Sequence, residues 1–112
     1  MSRTTRASVR EFALSLPGTV EDFPWGDCVV KVRGKIFVFL GERRLTVKLV
    51  ESHAHAMSID GAEETGYGLG RAGWVTLPLR AKGVSVGLLR DLVEESYRVV
   101  APKRLVAELD DR

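Results

Sequence analysis

The chain has a single cysteine, Cys28, so no internal disulfide can form. Cys28 stands in the apolar run Cys28-Val29-Val30 and reads as a small buried hydrophobe rather than a reactive thiol. No segment approaches the about 20 consecutive apolar residues of a membrane helix, which argues against a membrane partner. Met1-Ser2-Arg3-Thr4-Thr5-Arg6 leads into no apolar stretch, so no secretory leader is expected. With the lone cysteine, that predicts a reducing, cytoplasmic setting. Histidines number two, His53 and His55. Two residues apart on a helix, they point about 200° from each other and cannot share an ion. No metal and no cofactor are expected.

Net charge is also small, +2. Its placement is uneven. Residues 31–50 carry Lys31, Arg33, Lys35, Arg43, Arg44 and Lys48 against the one acid Glu42. Residues 11–30 carry Glu11, Glu21, Asp22 and Asp27 and no base. The basic stretch is either a solvated face or a surface for something anionic. The 112 residues suffice for one domain, 1–112, with its own core.

Hydrophobic periodicity gives most of the architecture. Val9, Phe12, Ala13 and Leu16 repeat at helical spacing over residues 4–16, capped by Thr4 or Thr5, with Arg3, Arg6, Arg10 and Glu11 outward. Pro17-Gly18 stops that helix, because proline donates no amide and glycine tolerates φ > 0. An aperiodic, acidic, aromatic elbow follows to Gly26, its path set by Pro17 and Pro24; Phe23 and Trp25 are expected to pack it onto the domain. Then come three short strands. Cys28–Val32 alternates, Arg33-Gly34 suits a two-residue turn, Lys35–Leu40 is almost continuously apolar, and Arg44–Val50 alternates again. Glu51–Asp60 reads as a short helix and Trp74–Leu79 as a strand, with Glu64–Leu69 a weak partner for it. A long helix runs from about Val86 to Ala101 behind Ser85, its core stripe Leu89, Leu92, Val93, Ser96 and Val100. Pro102 suits the first turn of a last helix, Lys103–Leu109. The order is α-β-β-β-α-β(β)-α-α. The class is α+β: an antiparallel sheet, three-strand meander plus one or two further strands, with helices on one face.

The chemistry is sparse. Gly66-Tyr67-Gly68-Leu69-Gly70 contains G-x-G-x-G, but it follows no parallel strand and opens no helix, so it is no dinucleotide fingerprint. No nucleophile has an evident activator, and Glu21-Asp22 are adjacent acids of the kind that cap amides or pair with bases. The expectation is a protein that is not an enzyme, with no catalytic residues.

Leu16-Pro17-Gly18, Glu21-Asp22-Phe23-Pro24-Trp25-Gly26 and Lys31-Val32-x-Gly34-Lys35-x-Phe37 resemble the MmcQ/YjbR family. Gly66-Tyr67, Trp74 and Ser96-Tyr97-x-Val99-Val100 continue the likeness in order over nearly the whole chain. Between Gly66-Tyr67 and Trp74, where many members carry His, Asn and Lys, this chain has only Arg71 as a base. The resemblance implies a CyaY-like α+β domain and the "double wing" DNA-binding label. On that reading Lys31, Arg33, Lys35, Arg44, Lys48 and Arg71 meet phosphate. The alternative is a small-molecule or protein-partner module with a pocket near Phe23, Trp25, Tyr67 and Trp74; against it, these aromatics simply fill the edges of the core.

Overall fold

A computed structural model describes residues 4–66 and 68–112; Arg3 and Tyr67, named above, lie outside them. The elements in chain order are α1 (Thr5–Ser15), β1 (Thr19–Asp22), β2 (Cys28–Val32), β3 (Lys35–Leu40), β4 (Arg44–Lys48) and α2 (His53–Met57). They continue with β5 (Glu63–Glu64), a 3₁₀ turn (Leu69–Ala72), β6 (Trp74–Pro78), α3 (Val86–Val100) and α4 (Lys103–Asp110). The six strands form one antiparallel sheet in the order β1-β2-β3-β4-β6-β5. This is the expected α+β class, with the meander β2–β3–β4 in place.

Strand alternation sorts the sheet into two faces. Cys28, Val30 and Val32 of β2, Val38 and Leu40 of β3, Leu45 and Val47 of β4, and Val75 and Leu77 of β6 join one buried cluster. All four helices feed that cluster, through Val9 and Ala13, Ala56, Leu89 and Val93, and Leu105. The alternate residues point to the other face, where Val29 and Trp74 are buried outside the cluster.

The meander turns where the sequence predicts. Arg33 and Gly34 both take positive φ, 52° and 79°, the pair of left-handed residues that matches the strand twist. At Gly73 (φ 99°) a Cβ would stand 2.6 Å from the Leu49 carbonyl oxygen, so only glycine fits beside β4. Thr4 caps α1 through the Ala7 amide, and Ser85 caps α3 through the Leu88 amide.

Details differ from the sequence reading, beginning with the weak partner of β6, which is Glu63–Glu64 and not Glu64–Leu69, because the glycine-rich stretch after it turns into the 3₁₀ segment. The elbow contains the edge strand β1, unread because its core-side positions are Thr19 and Glu21, not apolar residues. Glu21 tolerates that position because Arg10 and Cys28 meet its carboxylate. Arg6 and Arg10 accordingly fold back instead of facing solvent, Arg6 donating to the Gly41 and Leu40 carbonyls. Phe23 and Trp25 do not pack the elbow down. They stand 54% and 72% exposed on a turn closed by the Gly26 amide on the Phe23 carbonyl. Pro102 is the cap residue of α4 with extended backbone, one step before its first turn.

A β-bulge distorts the centre of the sheet. Val30 pairs with Val38 but Lys31 with Ile36, leaving Phe37 as the extra residue. The β3–β4 ladder stops at Val38–Val47, and α3 repairs the gap. The Ser96 hydroxyl accepts from the Lys48 amide (2.9 Å) and donates to the Phe37 carbonyl (2.6 Å). Beside it Tyr97, missing from the predicted stripe, is fully buried. Its hydroxyl donates to the Pro17 carbonyl (2.6 Å), and its ring meets Phe37 edge-on at 5.4 Å. One turn of α3 thus ties the bulge to the elbow.

Candidate nucleic-acid interface

Two residue rows define the helix-free face. The first crosses all six strands: Asp22, Val29, Phe39, Thr46, Thr76 and Glu63. The second holds Val20, Lys31 and Ile36 on one side and the Lys48–Trp74 pair on the other. Arg44 lies beyond the first row, opposite Pro78.

Three of the six sequence-predicted bases, Lys31, Arg44 and Lys48, therefore share this face. Two of them are already engaged. Lys31 Nζ lies 2.8 Å from Asp22 Oδ2, and Arg44 Nη1 lies 3.0 Å from Glu63 Oε1. Lys31, with the Phe23 amide, holds the Asp22 carboxyl below the usual aspartate range. Lys48 is half-buried and makes no ion pair among the described residues. Arg33 and Lys35 are exposed at the β2–β3 turn, and Arg71 is exposed on the 3₁₀ turn. The face has a basic and aromatic centre on β2, β3, β4 and β6, with acids on its edge strands.

The aromatics separate. Trp74 is 9% exposed and meets Phe39 edge-on at 5.5 Å across β4. It builds the face's surface rather than offering a free ring. Trp25 sits in the β1–β2 loop, beyond Asp22 and Val29, whereas Trp74 opens β6 at the opposite end, across β3 and β4. The fold does not bring the two indoles together. Phe23 accompanies Trp25, and Tyr67 lies outside the described residues. Phe39, absent from the sequence candidates, is the aromatic at the centre of the face. Its strand looked apolar throughout, which concealed the side it faces.

The elbow's two acids serve opposite faces. Glu21 accepts two bonds from Arg10 and one from the Cys28 thiol (3.2 Å). The Arg10 bond is the main reason its carboxyl lies below the usual range. Burial first, then the Glu21 bond, pushes the Cys28 thiol up to about 11, so it stays protonated and inert at neutral pH. Among the described residues, no three or more His, Cys, Asp or Glu side chains converge as a metal site. None of the described helices is long and apolar enough to cross a membrane.

No curated protein matches this chain at a significant level. The YjbR family model matches residues 14–99. That stretch contains the elbow, the meander with its bulge, and the Ser96-Tyr97 pair that locks them together. The chain belongs to the YjbR family.

Proposed function

We propose that this protein is a non-enzymatic nucleic-acid-binding module that works through its helix-free sheet face and the adjoining turns. The observation that carries the reading is the alignment of Lys31, Arg44 and Lys48 on the face the helices leave uncovered. Arg33 and Lys35 at the β2–β3 turn and Arg71 add exposed charge. Arg33, Lys35, Lys48 and Arg71 meet phosphate directly, whereas Lys31 and Arg44 must first exchange Asp22 and Glu63. Four free contacts give a log–log salt slope of about −3.6; six would give about −5.4. Among the described residues, the one arginine on the sheet face itself, Arg44, is held by Glu63, which favours backbone-directed, sequence-tolerant binding there.

Fluorescence anisotropy with a 20-base-pair duplex, across a salt series, tests the reading. Micromolar binding at low salt, lost in Lys31→Glu/Lys48→Glu, is the expected result. No binding by the native chain at low salt would sink it.

A further inference from the structure

Four arginines gather at the end of the sheet where β3 turns into β4 and β6 ends, and two of them, Arg43 and Arg80, have no acid partner among the described residues. A cleft of about 1040 Å³ opens there, lined by Arg6, Arg43, Arg44 and Arg80, with Glu42 as its one carboxylate. The backbone explains the gathering. The Leu79 amide donates to the Arg43 carbonyl at 2.9 Å and Arg44 pairs with Pro78, so Arg43 and Arg80 flank one ladder end. Arg6 reaches over from α1 and is held by the Gly41 and Leu40 carbonyls at 3.0 and 3.3 Å. Those bonds use two of its five N–H donors and fix the guanidinium in advance. Arg44 gives one N–H to Glu63. Arg43 and Arg80 are exposed and make no ion pair among the described residues.

Four guanidiniums around one cavity repel one another, and Glu42 on the rim and Glu63 on Arg44 offset only two. A monocarboxylate would offset one more. A di- or triphosphate offsets several at once, and its oxygens accept the paired N–H bonds that a guanidinium fork presents. The cleft is half open and wide enough to admit a nucleotide-sized molecule. Pro78 supplies an apolar wall for an organic group beside the phosphates.

We infer that this cleft binds a free, phosphate-bearing small molecule of nucleotide size through Arg6, Arg43, Arg44 and Arg80. The site is separate from the proposed nucleic-acid surface and shares only Arg44 with it.

Isothermal titration of the full chain with inorganic pyrophosphate and with ATP, at low ionic strength, tests the assignment. The native chain is expected to bind at submillimolar concentration. Arg43→Glu/Arg80→Glu is expected to weaken binding at least tenfold. Lys31→Glu/Lys48→Glu changes net charge by the same amount and is expected to stay within twofold, which separates a site from a general charge effect. If the Glu pair fails to fold, Arg43→Ala/Arg80→Ala replaces it, with an expected loss of at least threefold. Absence of binding to the native chain at millimolar ligand overturns the proposal, as does equal weakening in both charge swaps. A tenfold loss of duplex binding in the arginine variant also overturns it, because the cleft then belongs to the nucleic-acid surface. Duplex binding by the lysine variant independently reads the fate of the nucleic-acid reading.

Discussion

Glu21 and Asp22 are neighbours in the chain, yet strand alternation sends them to opposite faces of the sheet. On the helix side, Glu21 is held by Arg10 and Cys28, and α3 separately brings Ser96, Tyr97 and Glu95 to backbone partners of their own. Among the described residues, every buried side-chain nitrogen and oxygen there has a partner. On the other side, Asp22 holds Lys31 in an ion pair open to solvent. Exposed pairs of this kind contribute at most about 1 kcal/mol and weaken with salt. The same acidic dipeptide therefore stabilises the fold with one residue and moderates a basic surface with the other. Polar groups on the covered face are there for stability; those on the open face can exchange partners.

That contrast is sharpest in mutational cost. Tyr97→Ala removes a buried ring and its bond to Pro17, and should destabilise by about 4 kcal/mol in urea unfolding. Ser96→Ala strands the Lys48 amide and the Phe37 carbonyl, with an expected loss of about 3 kcal/mol. A loss below about 1 kcal/mol would show that water replaces the hydroxyl and that the covered face is less fixed than described.

The acid limb of stability comes next. Burial alone would raise the Glu95 carboxyl, but bonds from the Ser52 hydroxyl and the Val50 and Ser52 amides outweigh it. The net shift is downward, as for Glu21. A carboxyl with a depressed folded-state value stabilises fully above its unfolded value, near 4.5, and loses that contribution as pH falls through the folded value. Native stability should fall as pH drops below about 4.5. Glu95→Gln should flatten that fall in thermal scans, and an unchanged acid limb would remove Glu95 from the explanation.

On the open face the effects should be smaller and, for binding, opposite in sign. Asp22→Asn and Glu63→Gln each release a base, and each should tighten duplex binding about two- to fivefold at low salt, on the order of 0.5–1 kcal/mol. Weaker binding in either variant would mean that the pairs position Lys31 and Arg44 productively. Trp25→Ala should change stability least, by under about 0.5 kcal/mol, because the ring is exposed. A loss near 3 kcal/mol would restore a packed elbow.

Local rules made much of this legible. Period-3.6 and period-2 patterns found α1, α3 and the meander, and Arg33-Gly34 announced its turn. They also placed Lys31, Arg44 and Lys48 on one face. What they missed depends on residues far apart in the chain. Strand β1 was hidden because its inward acid is acceptable only beside Arg10, which lies on α1. Charge counting cannot show that Asp22 and Glu63 arrive from the two edge strands to pair with Lys31 and Arg44. Trp25 and Trp74 look alike in sequence; only the fold exposes one and covers the other. Tyr97 belongs to a motif of the family resemblance, but helical spacing leaves it off the core stripe, since its partner carbonyl, at Pro17, stands 80 residues earlier.

The Ser96 hydroxyl has a kinetic consequence. The β3–β4 pair cannot complete its hydrogen bonding around Phe37 and Lys48 until α3 docks, 59 and 48 residues downstream. Such distant closure makes sheet and helix one cooperative unit rather than a preformed hairpin awaiting a cover. The Lys48 amide is therefore a reporter: its exchange with deuterated solvent should track the opening of α3, and with it the unfolding of the whole sheet.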